Sequence, residues 1–258
     1  MTNSTIETLL NRRSIRAFVE EPISDDIRNV LEDAAQHAAS SQYLNDWSAI
    51  RVQDPALKQL MAEFGNQAYI ATAPLLYVFV VDEHRNALIA AGKGVPTDPE
   101  HYGLSGSYRF TQAHNDAVLA LHAMETAAES LGLGCVILGS LLNNVSGLVE
   151  ALHLPQYTYP VLGLAIGKPA QEPAVKPRMP RTLQFFDNTY PSDEQSEAAI
   201  QADLASFDAT VHEYYDLRNT DRPVDAFSEQ IAKLAAQEMG DNHKMQPLAH
   251  GQGFRLEK

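Results

Sequence analysis

Apolar positions along the chain fall into two patterns, a three-to-four-residue spacing that predicts helices and unbroken runs that predict covered strands. Ser4 followed by Glu7 has the form of a capping box. Ile6, Leu9 and Leu10 then give a short amphipathic helix running into Arg12-Arg13-Ser14-Ile15-Arg16-Ala17-Phe18. A second helix is predicted from about Ser24, just after Pro22, with Ile27, Val30, Leu31, Ala34, Ala35 and Ala38 on its buried face. The small residues Ala39-Ser40-Ser41-Gln42 predict a loop, and the loose alternation from Trp47 to Val52 a strand. Asp54-Pro55 supplies a helix N-cap with proline at the first helical position, and Gly65 closes that helix.

Leu75 to Val81 is apolar on both faces, the signature of a central strand covered on both sides. Glycine, proline and polar residues dominate 92–107, which predicts a mobile surface insertion. A long helix follows, with Ala117, Leu121, Met124, Ala128 and Leu131 in one stripe and Gly132 at its end. Cys135 to Leu138 and Val161 to Ile166 are predicted as strands on either side of a short helix, Asn144 to Leu152. Four prolines exclude a regular element from Pro169 to Pro180. Helical stretches are expected near Asp193–Asp216 and Asp225–Met239. Interspersed strands and helices predict an α/β-type core over 1–190, with 191–258 as a helical C-terminal extension of the same domain.

Composition narrows the partners. A net charge of −14 excludes nucleic acid as an expected ligand, so any anion must be held by a local cationic cluster. The single cysteine, Cys135, excludes an intramolecular disulfide. No signal peptide is legible at the N-terminus, and no apolar run reaches the roughly 20 residues a membrane span needs. A cytoplasmic protein with no membrane partner is expected.

Arg12, Arg13 and Arg16 surround Ser14 in an otherwise acidic chain. Planar guanidinium forks bind phosphate oxygens bidentately, so the cluster suits a phosphate ester; arginines at a solvated helix C-terminus are the alternative. Lys176-Pro177-Arg178 is a second cationic pair on a stiff stretch, or a solvated loop. Around Gly132–Ser140 the dinucleotide fingerprint fails, because isoleucine occupies 137 and the order is helix then strand. The phosphate-loop motif fails as well, with Ser140 where lysine is required. What remains is a buried strand ending at Gly139-Ser140, where backbone can approach a flat ligand. No metal-ligand spacing links the histidines to Cys135, which is expected in the core, and His114 and His122 are expected to pack or face solvent. A missing acid–base constellation is consistent with chemistry carried by a cofactor.

Several stretches resemble the flavin reductases and oxygen-insensitive nitroreductases, in their NADPH-preferring branch. They are TIETLLNRRSIRAF at 5–18, ASSQYLN at 39–45, GNQAY at 65–69, AAESLGLG at 127–134, LGSLLNN at 138–144, LGLAIGKP at 162–169 and KPRMP at 176–180. Their order and spacing cover most of 5–190. The resemblance implies an α+β fold, a central mainly antiparallel sheet covered by helices, in an intertwined homodimer with FMN at the subunit interface. It implies that Arg12, Arg13, Ser14 and Arg16 contact the FMN phosphate, ribityl chain and ring edge, with Lys176 and Arg178 completing the phosphate side. Gln67 would reach the isoalloxazine, and Ile137, Leu138, Gly139 and Ser140 would line it. Ser40, Ser41, Gln42 and Tyr43 would come from the other subunit. The long helix, with its apolar stripe, is expected to pack against its mate.

Relatives commonly place histidine where Arg12 stands, glycine at Ser140 and arginine at Leu142. A basic residue of the NADPH 2′-phosphate site falls near Asn242, leaving Arg218, Arg222 and Lys244 for that task. The implied activity is FMN-dependent NADPH oxidoreduction by ping-pong hydride transfer, with nitroaromatics, quinones or free flavin as acceptors. A flavin sensor or store without useful turnover is the alternative.

Overall fold

The computed structural model describes residues 2–214, 221, 224–237, 240 and 244–257. It divides into two compact units, Met1–Glu172 together with Met239–Lys258, and Pro173–Glu238.

The first unit is built on four strands, β1 (Trp47–Arg51), β2 (Leu75–Asp82), β3 (Gly134–Leu138) and β4 (Thr158–Gly167), in the order β1-β2-β4-β3. Every neighbouring pair is antiparallel. This corrects the α/β-type reading and agrees with the α+β fold. Helices do separate the strands in sequence, but periodicity reports which residues are buried and not which strands pair. The apolar β2 is central as expected, with faces alternating along its length. Leu76, Val78 and Val80 pack with Met61 of α3 (Pro55–Gly65) and Leu148, while Tyr77 and Phe79 pack on the opposite side. There they meet Leu31 of α2 (Asp25–Gln36) and Leu121 and Met124 of α5 (Ser107–Ser130).

Several boundaries differ from the sequence reading. Helix α1 (Ser4–Leu10) is capped by Asn3, whose side chain accepts the Ile6 N–H at 3.0 Å, so Ser4 is already helical. Val30 of α2 faces out. Helix α3 is capped by Asp54 as expected, but Asn66 in the left-handed region ends it. Gly65 is needed there for space, because a Cβ would meet the Ile70 side chain at 2.8 Å. Gly132, at φ +79, does end α5.

Helix α4 (His84–Gly92) was not expected, because only Ala87 is buried and Leu88 and Ile89 face solvent. The expected mobile insertion is anchored. The Tyr102 hydroxyl donates to the Glu83 carbonyl at 3.0 Å, and Tyr157 donates to that of Thr97 at 2.6 Å. The α5 stripe is also reassigned, since Ala117, Leu121, Met124 and Ala128 are buried within their own chain. After α6 (Val145–Ala151) and β4, the chain leaves this unit and returns with α9 (Met245–Gly251). There Phe254 is fully buried and meets the Phe110 ring edge-on at 4.8 Å.

In the second unit, the proline-rich stretch is irregular, followed by α7 (Glu194–His212) and α8 (Phe227–Ala235). Asp193 caps α7, and Phe207 packs on Phe227 at 5.4 Å.

Candidate functional site

The arginine segment is fixed to the start of β3. Ser14 bridges Cys135, the Ile15 N–H donates to the Cys135 carbonyl at 2.8 Å, and Phe18 bridges Pro169 just beyond β4. Ile15 is buried against Gly134, where a Cβ would meet its side chain at 2.7 Å, so the segment lies tight on the sheet. A cleft of about 550 Å³ opens here, with Arg12, Arg13, Gly132, Gly134, Pro169 and Glu172 among its walls.

The three arginines are held differently. Arg12 donates through Nε at 2.9 Å and Nη2 at 2.6 Å to Oε1 of Glu125, whose side chain is 1 % exposed. His122 approaches the other oxygen at 3.0 Å. Arg13 lies 3.5 Å from the exposed carboxylate of Glu172. Arg16 is half-buried, and no described group engages its guanidinium. Burial, with the nearby Glu125, raises the Glu129 carboxyl at this cleft to about 7, which limits the negative charge facing an incoming anion.

Ile137 and Leu138 close β3, and Gly139 and Ser140 follow it, about 13–16 Å from Cys135 at roughly 3.3 Å per residue. The Ser140 hydroxyl is buried with no hydrogen-bond partner, and it would lie 3.1 Å from a Cβ on Gly65. Two residues past Gly65, the Gln67 side chain accepts from the Tyr69 hydroxyl. One strand therefore joins a cationic end to an end of glycine, serine and amide groups.

Ser40, Ser41, Gln42 and Tyr43 form a tight surface segment before β1. Gln42, Tyr43 and Asn45 have positive φ, and Tyr43 is 85 % exposed. Asp116 of α5 accepts the Ser41 N–H at 2.7 Å, Arg109 donates to Gln42 at 2.8 Å, and Arg85 donates to the Asn45 carbonyl.

Lys176 and Arg178 belong to the second unit, both exposed, with Arg178 donating to the Lys176 carbonyl at 3.1 Å. Lys244 is exposed at the N-cap position of α9, whereas Arg218, Arg222 and Asn242 lie outside the described residues. Cys135 is fully buried and its thiol is pushed up by desolvation, which suits a core residue. His114 packs beside Phe110, and burial lowers its pKa. No three potential ligands group around a metal position among the described residues.

Sequence reasoning missed Glu125, although an acid on the stripe of Leu121, Met124 and Ala128 was a signal that something basic must meet it. Ser140 was expected at the flavin, but sequence could not show that its hydroxyl is buried and unpartnered.

The family model described as "Nitroreductase family" matches residues 9–168, and "Nitroreductase family, C-terminal domain" matches 176–257. The chain is 34% identical to the FMN reductase (NADPH) of Bacillus subtilis, covering 91% of this chain and 92% of the relative. It is equally 34% identical to an NADPH-dependent oxidoreductase of Staphylococcus aureus, covering 90% of each. Among solved structures, the NADPH:FMN oxidoreductase of Vibrio harveyi complexed with NAD+ superposes with a TM-score of 0.84 at 31% identity, over 98% of this chain and 99% of that one. With the antiparallel sheet and the matches running nearly end to end, the chain belongs to the nitroreductase family.

Proposed function

We propose that the protein is a homodimeric FMN-dependent NADPH oxidoreductase that reduces small acceptors such as nitroaromatics, quinones or free flavin. The observation that carries the reading is β3, which spaces the arginine segment at one end from Gly139-Ser140 at the other by about the length of an extended flavin mononucleotide. The residues present fit that group. Arg16 is half-buried with no partner among the described residues, and Ser140 keeps a buried hydroxyl unsatisfied. Either would gain a hydrogen bond from a polar ligand, and a buried group left without one costs about 1–3 kcal/mol. Relatives named as NADPH-dependent and FMN reductases support the same assignment.

FMN, when bound, supplies the hydride chemistry between NADPH and the acceptor. The chain's own residues bind and orient. Arg13 and Arg16 hold the phosphate, Ser14 and the β3 backbone fix the arginines against the sheet, and Gln67 and Ser140 address the polar edge of the ring. Arg12 contributes through its pair with Glu125, which holds the segment to α5. Ser40 to Tyr43 face outward and reach the flavin of the second subunit, and the exposed Tyr43 ring is the group that touches it. The NADPH preference rests on Arg218, Arg222 and Lys244, through the resemblance that assigns them.

An anaerobic titration tests this. The preparation should be yellow, and NADPH should bleach it faster than NADH does. A colourless protein that takes up no FMN overturns the proposal, and a yellow protein that neither nucleotide bleaches points to flavin storage instead.

A further inference from the structure

Asp46 is fully buried at the end of the Ser40–Tyr43 segment, and neither of its carboxylate oxygens has a hydrogen-bond partner. It faces Asp116 at hydrogen-bonding range, and Asp116 is 3 % exposed. Two ionised carboxylates side by side hold acceptors only, so no donor exists between them. A proton on one of them is the missing donor, and the same proton removes the repulsion of two buried like charges.

The other oxygen environment ties this pair to the segment. Asp116 Oδ2 already accepts the Ser41 N–H at 2.7 Å, and the Asp46 carbonyl accepts the Asp82 N–H at 2.8 Å. Among the described residues, the charged groups around the pair are Arg109, Glu83 and Asp82. Arg109, on α5 with Asp116, offsets part of the negative charge while donating to Gln42. Glu83, from the turn before α4, is fully buried with one oxygen orphaned and the other accepting from Asn86 at 2.9 Å. Asp82 lies beyond it, paired with Arg85 at 3.3 Å and accepting from Ser48 at 2.5 Å. Arg109 thus acts on both Asp46 and Glu83, under a segment in which Gln42 and Tyr43 hold positive φ that the backbone alone does not favour.

We propose that Asp46 and Asp116 form a proton-sharing pair that positions Ser40–Tyr43 toward the flavin, so that losing the proton loosens the segment and weakens FMN binding. Asp46 and Asp116 are positioning residues here, acting through the Ser41 amide. Desolvation by burial, then Asp116, raises the Asp46 carboxyl to about 7, and desolvation raises that of Glu83 to about 7 as well. The sign follows. The latched state holds a proton that an open, solvated aspartate would release above about pH 4, so latching is favoured at low pH and is lost as pH rises through about 7.

The proposal rests on the reading that this segment meets a flavin, so two readouts are needed. In the intact chain, FMN affinity should fall about tenfold from about pH 6 to 8, while Asp46→Asn, which carries a permanent amide donor, should stay flat. Asp116→Asn serves the same purpose if the first variant fails to fold. Independently of flavin, hydrogen exchange in the flavin-free protein should show Ser41 amide protection falling about tenfold over the same range, after correction for intrinsic exchange, in wild type only. Protection that does not change with pH, or an Asn variant with the wild-type slope, overturns the latch. Protection that falls as expected in a protein binding no FMN at any pH retains the latch and overturns the flavin reading.

Discussion

Helices α1 and α5 pack against each other, and both were legible as amphipathic, yet they spend their apolar faces differently. Helix α5 buries Ala117, Leu121, Met124 and Ala128 in the core of its own chain. Helix α1 buries nothing, leaving Ile6, Leu9 and Leu10 at 39, 44 and 67 % exposure. A helix at the chain's edge with an apolar face open to water fits a surface waiting for a partner. Hydrophobic spacing therefore reports which residues need cover, not whether the cover comes from the same chain. The sequence-based expectation gave the dimer contact to the α5 stripe, and α1 is the better candidate for it.

The largest expected effect lies at the joint between the two helices. Arg12 follows α1 and satisfies Glu125 on α5, so Arg12→Ala leaves a carboxylate that is 1 % exposed with His122 as its remaining hydrogen-bond partner among the described residues. Losing one partner of a buried pair costs about 3–5 kcal/mol, so the variant should unfold at markedly lower denaturant concentration. An unchanged midpoint would show that Arg12 is spent on ligand rather than on the fold.

Next come the two apolar faces themselves. Leu121→Ala on α5 should destabilise the protein by about 2–5 kcal/mol, read by chemical denaturation. Leu10→Asp on α1 should leave monomer stability within about 0.5 kcal/mol but raise the dimer dissociation constant by about thirtyfold or more, read by sedimentation. A dimer of wild-type strength in Leu10→Asp would remove α1 from the interface.

Much of this architecture was written in local signals: the doubly apolar β2, the Asp54-Pro55 cap, Gly132 past α5 and the prolines that exclude regular structure from 169–180. What failed were features without a local pattern. Helix α4 has no buried stripe, α9 carries Pro247 within its first turn, and antiparallel pairing is decided between segments far apart in sequence. The site divides in the same way. The arginine cluster and Gly139-Ser140 stood out as residue types, but their union by β3 needed the Ser14–Cys135 bridge, and Glu125 lies 113 residues from Arg12.

Arg16 sharpens the contrast with Arg12, since no described group holds it. Arg16→Ala should keep the fold and lose about 1.5–3 kcal/mol of FMN binding, one to two orders of magnitude in affinity. Flavin content equal to wild type after gel filtration would remove Arg16 from the phosphate site.

The smallest effect separates the two ion pairs of the arginine segment. Glu125 is buried under Arg12, whereas Glu172 meets Arg13 at 3.5 Å with 86 % of its side chain in solvent. An exposed pair of this kind is worth about 0–1 kcal/mol, so Glu172→Ala should leave stability within about 0.5 kcal/mol. Its carboxylate nevertheless stands in the cleft where the phosphate would pair with Arg13, and it competes for the same guanidinium. Removing it should tighten FMN binding by about two- to fivefold at low salt, and the gain should fade as the Debye length shrinks below roughly 10 Å near 0.1 M. Fluorescence titration of FMN across ionic strength, in wild type and Glu172→Ala, measures this directly. Repeating it in an Arg13→Ala background gives the control, because a competitor has nothing to compete for once its cation is gone. If Glu172→Ala tightens binding equally with and without Arg13, the effect is a general change in cleft charge, and Arg13 does not hold the phosphate.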